Sequence, residues 1–368
     1  MKHIIECNPY TPGPQVKSVT IEEDDAGQRL DNFLMRHLKG VPKTHVYRII
    51  RSGEVRINKG RASADTRVNA GDVVRLPPVR VSERVAEKSI AMAAQVASHA
   101  PAKDFSVLFE DDSMLVINKP AGVAVHGGSG VSFGVIEQLR MARPQAKFLE
   151  LVHRLDRETS GILLVAKKRS ALTNLQNQFR ERETGKTYLA LVLGRWPSNK
   201  KVLDKSLHKY LLDGKEGVPG SGERRVKVVA KDDPNGMPSL TLVKVLTASG
   251  ASTDGGLGYS LLEVTLKTGR THQIRVHLAS EGLPIAGDDK YGDFDHNKAL
   301  AKAVGTASLK RMFLHAWRFQ CSHPVTGERL ELRADLPPEL AQFLGYVLPD
   351  APITSLSADA LELKKAPL

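Results

Sequence analysis

The chain has 368 residues, with 53 lysines and arginines against 41 aspartates and glutamates, a net charge of +12 and a pI near 9.6. This length allows two or three domains, and the cationic excess favours a polyanionic partner. Two cysteines, Cys7 and Cys321, cannot build a disulfide framework, no apolar run is long enough to span a bilayer, and residues 1–7 do not read as a signal peptide, so a cytoplasmic protein without membrane contact is expected.

In chain order, residues 1–18, with Pro9, Pro12, Gly13 and Pro14, read as a flexible leader. Residues 19–80 form a small unit. Leu30, Phe33, Leu34 and Leu38 recur at helical spacing, and Pro42 opens a second helix with Val46, Ile49 and Ile50 on its apolar face. Residues 53–60 alternate as a strand ending in an Asn-Lys-Gly turn, and residues 71–76 supply another strand. Two helices followed by small strands, with the pattern Arg-x-Gly-x-Val-x-Ile-Asn from Arg51 to Asn58, resemble an S4 RNA-binding domain. Between Arg36 and Arg61 lie eight cations (Arg36, Lys39, Lys43, Arg48, Arg51, Arg56, Lys59 and Arg61) against one anion, Glu54, a local net charge of +7. A charge run alone is usually a solvated face. Joined to the S4-like pattern, these cations are expected to contact RNA phosphates, which position a nucleic acid without reading its sequence.

Residues 81–104 contain seven alanines without a core pattern and read as a linker. Residues 105–350 form the large domain, beginning with two strands around an acidic turn; its many strands and few helices indicate an α+β fold on a mixed, largely antiparallel sheet. Residues 351–368 read as a loose tail.

Within the large domain, apolar runs at 148–152 and 162–166 read as buried strands that hold the polar stretch His153-Arg-Leu-Asp156-Arg-Glu-Thr-Ser-Gly161 between them. Arg154 and Arg157 favour an ionised Asp156, which could then act as nucleophile or base. An Asp in such a turn also often only caps its own backbone. A helix over 170–183 precedes a strand that starts Lys186-Thr-Tyr188, where a tyrosine by itself more often packs than reacts. A strand over 261–266 and a Thr-Gly turn then lead into a polar helix start, where Arg270, His272, Gln273 and Arg275 fall within six positions. Gly185-Lys-Thr187 ends like a P-loop, but position 180 is Arg where glycine is required. His272 and His277, five apart, do not share a helix face and have no Cys or Glu to complete a ligand set, so no metal is expected.

Together these stretches resemble the RluA-type pseudouridine synthases: residues 153–161 match the family's signature around its catalytic Asp, residues 186–190 the strand with its active-site Tyr, and residues 269–277 the stretch with its conserved Arg. Gly40-Val-Pro-Lys43, residues 124–137 and residues 148–152 narrow the similarity, which runs from about Val19 to Leu348, to a branch acting on large-subunit ribosomal RNA. The resemblance implies that Asp156, Tyr188 and Arg275 are catalytic. Asp156 would supply the carboxylate, Arg275 would pair with it in a bidentate fork that Lys cannot copy, and Tyr188 would pack on the uracil. Arg154 would fill the RNA stack left by a flipped nucleotide, and Arg270, His272 and Ile274 would contact substrate.

Breaking the base–ribose bond, turning the uracil and rejoining it through carbon needs no redox cofactor, phosphate donor or metal, so no cofactor is expected. The implied partner is large-subunit ribosomal RNA or an assembling ribosomal particle. A monomer is expected, since no coiled-coil seam or repeat is evident. The alternatives are the same chemistry on transfer RNA or another ribosomal site, and a non-catalytic S4-type RNA-binding or assembly factor. A glycosidase would require a second carboxylate across the bond; Glu158 could be paired with Asp156 only by assumption, and the neighbouring Arg-rich motifs argue against it.

Overall fold

The computed structural model describes residues 16–22, 25–38, 41–79, 105–127, 133–212, 223–250 and 258–351. Lys39, the expected linker 81–104 and nearly all of the expected leader and tail lie outside them. Two compact units, divided between residues 101 and 102, are taken separately.

In the first unit, helices α1 (Leu30–His37) and α2 (Lys43–Arg51) accompany a four-stranded antiparallel sheet of β1 (Lys17–Thr20), β2 (Arg56–Ile57), β3 (Gly60–Arg61) and β4 (Val73–Leu76), in the order β1-β4-β2-β3. Leu30, Phe33 and Leu34 of α1 and Val46, Ile49 and Ile50 of α2 form its core with Val55 and Val74. Two expectations change here. Lys17 and Ser18, assigned above to the leader, are the first residues of β1 and pair with Leu76 and Arg75, which satisfies their backbone groups. The strand expected over 53–60 shrinks to Arg56–Ile57, because the amides of Gly53, Glu54 and Val55 bond back to the carbonyls of Ile50 and Ile49 and finish α2 instead. Asn58 and Lys59, at φ 49° and 70°, then form a left-handed two-residue turn between β2 and β3.

The second unit is built on one ten-stranded sheet. Its strands are β5 (Val107–Glu110), β6 (Met114–Lys119), β7 (Glu150–Leu151), β8 (Ser160–Ala166), β9 (Gly185–Leu193), β10 (Val202–Asp204), β13 (Leu240–Ala248), β14 (Tyr259–Leu266), β15 (Leu314–Ser322) and β16 (Arg329–Arg333). The order is β10-β13-β14-β9-β15-β8-β6-β5, with β16 added to β15 and β7 to β8. Among the described residues only β8 and β15 run parallel; the other neighbours are antiparallel. Strands β11 (Ser206–Leu212) and β12 (Glu223–Val229) form a separate hairpin. The helices are α3 (Val135–Ala142), α4 (Arg169–Glu181), α5 (Gln273–Ala279), α6 (Phe294–Lys302) and α7 (Pro338–Val347).

The apolar run of β8 is buried along its full length, as expected for a strand covered on both faces. Ile162, Leu164 and Ala166 enter one core with Leu172 and Leu175 of α4, while Leu163 and Val165 enter another with Ile136 and Leu139 of α3. The strand expected over 148–152 is only Glu150–Leu151; the Leu149 carbonyl accepts from the Arg140 guanidinium at 2.7 and 3.1 Å and so leaves the ladder.

Gly161 is where β8 meets β15. At φ 111° it occupies a conformation that suits glycine, and a Cβ there would lie 2.2 Å from the Ala316 carbonyl oxygen. Gly161→Ala is expected to destabilise the second unit by about 2–5 kcal/mol, combining backbone strain with overpacking. Thermal unfolding monitored by circular dichroism checks this; an unchanged midpoint would contradict the close approach.

Candidate active site

Asp156 lies on the connection from β7 to β8, a turn closed by the Thr159 N–H donating to the Asp156 carbonyl at 3.1 Å. The connection is fastened from beneath. Lys119, at the end of β6 and fully buried, donates its ammonium to the carbonyls of Pro120, Val123 and Arg157 at 2.7, 2.9 and 3.1 Å. Burial, with repulsion from Arg311 next, lowers the Lys119 pKa to about 7. On the other side, the Ser160 hydroxyl lies 2.9 Å from Nδ1 of buried His315 and accepts from Arg311 at 2.7 Å. The turn that presents Asp156 is therefore held by hydrogen bonds on both flanks of the carboxylate.

Asp156 opens into a cleft of roughly 270 Å³ whose walls include Arg154, Tyr188, Arg270, His272, Ile274 and Arg275, so all seven residues singled out in this domain line one cavity. Tyr188 comes from β9, where its phenol pKa is raised first by burial and then by the negative charge of Asp156. Arg270 and Arg154 are exposed at the cleft, whereas Ile274 and Arg275 are buried on α5. His153 also lines the cleft; burial pushes its pKa down to about 4, and its Nε2 accepts the Leu164 N–H at 3.2 Å, which ties the stretch to β8. Its ring stacks on Phe179 and Phe319 at centroid distances of 5.1 and 5.9 Å.

Arg275 departs from expectation. Its Nη1 is 3.7 Å from Asp156 Oδ2, an ion pair without the anticipated bidentate fork. The fork goes instead to Asp288, through Nε at 2.7 Å and Nη2 at 2.6 Å, and Nη2 also reaches Asp289 at 3.0 Å. The reason is accessibility: Asp288 is 1% exposed against 22% for Asp156, and it additionally accepts the amides of Lys290 and Tyr291 at 2.8 and 3.0 Å. Burial works against the Arg275 charge, but the bonds to Asp288 and the charges of Asp288 and Asp156 outweigh it and raise its pKa. The remaining N–H edge of a permanently charged guanidinium thus faces Asp156.

His272 approaches the same oxygen, with Nε2 3.8 Å from Asp156 Oδ2 and Nδ1 2.8 Å from the Tyr291 hydroxyl. Its pKa is lowered, chiefly by burial, with Asp156 acting in the other direction. Sequence reasoning missed Asp288 and Tyr291. The signal the sequence holds is Asp288-Asp-Lys-Tyr-Gly292, a polar run that starts 13 residues after Arg275.

In the first unit, Lys43, Arg48, Arg51, Arg56, Lys59 and Arg61 are exposed, and exposed Arg36 pairs with Asp25 at 2.7 Å. Lys39 lies outside the described residues. No helix among the described residues is long and apolar enough to cross a membrane, and no cluster of three metal-ligating side chains occurs among them.

A carboxylate within 4 Å of both a buried guanidinium and a histidine, in a cleft shared with a tyrosine and exposed arginines, suits chemistry on an RNA base. Residues 113–280 match the RNA pseudouridylate synthase family and residues 28–74 the S4 domain, and the chain belongs to the pseudouridine synthase family as an isomerase of uridine in RNA. Among its relatives, ribosomal large subunit pseudouridine synthase C of Pasteurella multocida is 50% identical over 330 residues, covering 90% of this chain and 93% of that one. The protein of the same name from Escherichia coli K12 is 50% identical over 334 residues, covering 91% and 97%. The solved structure of human RNA pseudouridylate synthase domain containing 4 superposes with a TM-score of 0.52 at 27% identity, covering 69% of this chain and 97% of that one.

Proposed function

We propose that this enzyme converts specific uridines of 23S, large-subunit ribosomal RNA to pseudouridine in the cytoplasm, acting as a monomer on the RNA or on an assembling particle. The observation that carries this reading is Asp156 in the cleft, 3.7 Å from the Arg275 guanidinium and facing the wall that holds Tyr188. The substrate class is supported by the names of the relatives that match along nine-tenths of the chain.

In this reading the target nucleotide leaves the RNA stack, at a cost of a few kcal/mol, and its uracil enters the cleft against Tyr188 and Ile274. Exposed Arg154 takes the vacated place in the stack, and Arg270 contacts the adjoining backbone. Asp156 supplies the carboxylate that assists rupture of the bond between N1 and C1′. Arg275, fixed by Asp288, turns its remaining N–H edge to that carboxylate. The uracil turns, C5 bonds to C1′, and the C5 proton is lost as N1 gains one. Residues 19–80 act as an S4 domain that anchors the RNA through Arg36, Lys39, Lys43, Arg48, Arg51, Arg56, Lys59 and Arg61.

The direct test maps pseudouridine in ribosomal and transfer RNA from cells lacking the protein, complemented with wild type or Asp156→Ala. Loss at defined large-subunit sites, restored by wild type alone, is expected; loss confined to transfer RNA would overturn the substrate assignment. For the S4 surface, the triple variant Lys43→Ala, Arg48→Ala, Arg51→Ala is expected to reduce the slope of log affinity against log salt by about 2–3. Turnover of saturating RNA should persist, and an unchanged slope in a salt titration would remove these residues from the interface.

A further inference from the structure

We infer that Tyr291 is a positioning residue that selects the protonated nitrogen of His272, so that a neutral Nε2–H faces the Asp156 carboxylate; this rests on the reading of Asp156 as the reacting group. The Tyr291 oxygen accepts the Val226 N–H at 3.1 Å and lies 2.8 Å from His272 Nδ1. With that acceptor site occupied by a backbone donor, the hydroxyl proton is directed to Nδ1. Nδ1 is then an acceptor, and the ring proton resides on Nε2, the nitrogen 3.8 Å from Asp156 Oδ2. The opposite tautomer would make Tyr291 accept two hydrogen bonds and would turn the Nε2 lone pair toward a carboxylate.

Three further features of the structure fit this assignment. His272 adopts φ 52° at the cap of α5, and of the four non-glycine residues at positive φ among the described residues it alone lines the cleft. Such strain persists where the surroundings over-determine a conformation. The Tyr291 ring is itself pinned, with the Arg275 guanidinium 5.2 Å above it and the His272 ring edge-on at 5.5 Å. Val226 belongs to β12, whose side chain packs with Leu207 of β11 and Val276 of α5, so the hairpin that holds the tyrosine hydroxyl is docked on the helix that carries Arg275.

The chemical consequence is a donor that orients Asp156 without neutralising it. A charged imidazolium at this distance would form an ion pair and weaken the carboxylate as a nucleophile or base; a neutral N–H steers one oxygen and leaves the charge on the carboxylate. The separation of 3.8 Å in the free enzyme is longer than a hydrogen bond, and contacts of this kind commonly tighten when substrate binds.

The test uses the full chain labelled with ¹⁵N-histidine, and His272 is assigned as the signal lost in His272→Gln. Long-range proton–nitrogen spectra near neutral pH should show a pyrrole-type Nε2 and a pyridine-type Nδ1. Tyr291→Phe keeps the ring contacts and removes only the hydroxyl; it should shift His272 toward the Nδ1–H form. It should also lower kcat roughly 10- to 100-fold, the loss of one hydrogen bond to a charged group, with KM for RNA within about twofold. His272→Gln, which can still offer an N–H, should retain more turnover than His272→Ala. An Nδ1–H or doubly protonated His272 in the wild type, an unmoved tautomer in Tyr291→Phe, or a moved tautomer with unchanged kcat would each overturn the inference. Failure of the Asp156 reading is seen separately, as turnover that survives Asp156→Asn.

Discussion

Asp156→Asn is expected to abolish pseudouridine formation, lowering single-turnover rates by at least about 10³-fold, while RNA affinity holds or rises slightly. The substitution keeps the shape of the side chain and removes only its charge. Arg275, 3.7 Å from Asp156 but bonded directly to Asp288, does not depend on Asp156 for its place, so the cleft should survive the change. Removing one anion from a chain with net charge +12 should not weaken phosphate binding. Release of the uracil C5 proton measures turnover, and nitrocellulose filter binding measures affinity. Residual activity within tenfold of wild type would show that Asp156 is a turn residue, the role an aspartate in such a connection often has.

Asp288→Ala is expected to be the most damaging substitution for stability near the site. It deprives a guanidinium that is 3% exposed of its two shortest bonds and leaves the amides of Lys290 and Tyr291 without their acceptor. Breaking a buried pair from one side costs about 3–5 kcal/mol. The freed Arg275 would turn to the nearest remaining carboxylates, Asp156 and Asp289, so activity should fall together with the unfolding midpoint. The pH dependence carries a defined sign. Burial alone would raise the Asp288 pKa, but hydrogen bonds and the charge of Arg275 outweigh it and hold the carboxyl below its ordinary value. Its stabilising contribution is therefore complete above an unfolded-state pKa of about 3.9 and is lost as pH falls through the lower folded value. Denaturant titrations between about pH 5 and 2 should show a steeper acid loss in wild type than in Asp288→Asn, and parallel curves would contradict the coupling.

What could be read from the sequence followed from pattern and local chemistry. Apolar spacing located both helices of the first unit, and the unbroken apolar run at 162–166 located β8, because burial on both faces leaves no room for polar alternation. The same logic failed at residues 53–60: alternation suggested a long strand, but the backbone of Gly53 to Val55 is used to close α2, a hydrogen-bonding choice that side-chain pattern does not encode. In the cleft, the motif residues were legible because each short polar stretch sits at an element boundary, and the fold brings those boundaries to one place. The identity of the Arg275 partner was not legible. Asp156 and Asp288 are equally acidic in sequence, and only the difference in burial, 22% against 1% exposed, decides which one takes the fork.

The parallel junction of β8 with β15 also sets an order of events in time. Ser160 and Gly161 pair with His315 and Ala316, so the strand that follows Asp156, already paired with β6 and β7, gains its parallel neighbour only after some 155 further residues have been synthesised. Contacts between residues so distant in sequence form slowly and late. A nascent chain emerging from the ribosome can complete its S4-like unit early, while the Asp156 connection has its Lys119 support but still lacks the flank that His315 and Arg311 supply. The first unit can thus fold before the cleft is assembled, since the cleft also needs Arg275 and Asp288, more than 110 residues beyond Asp156.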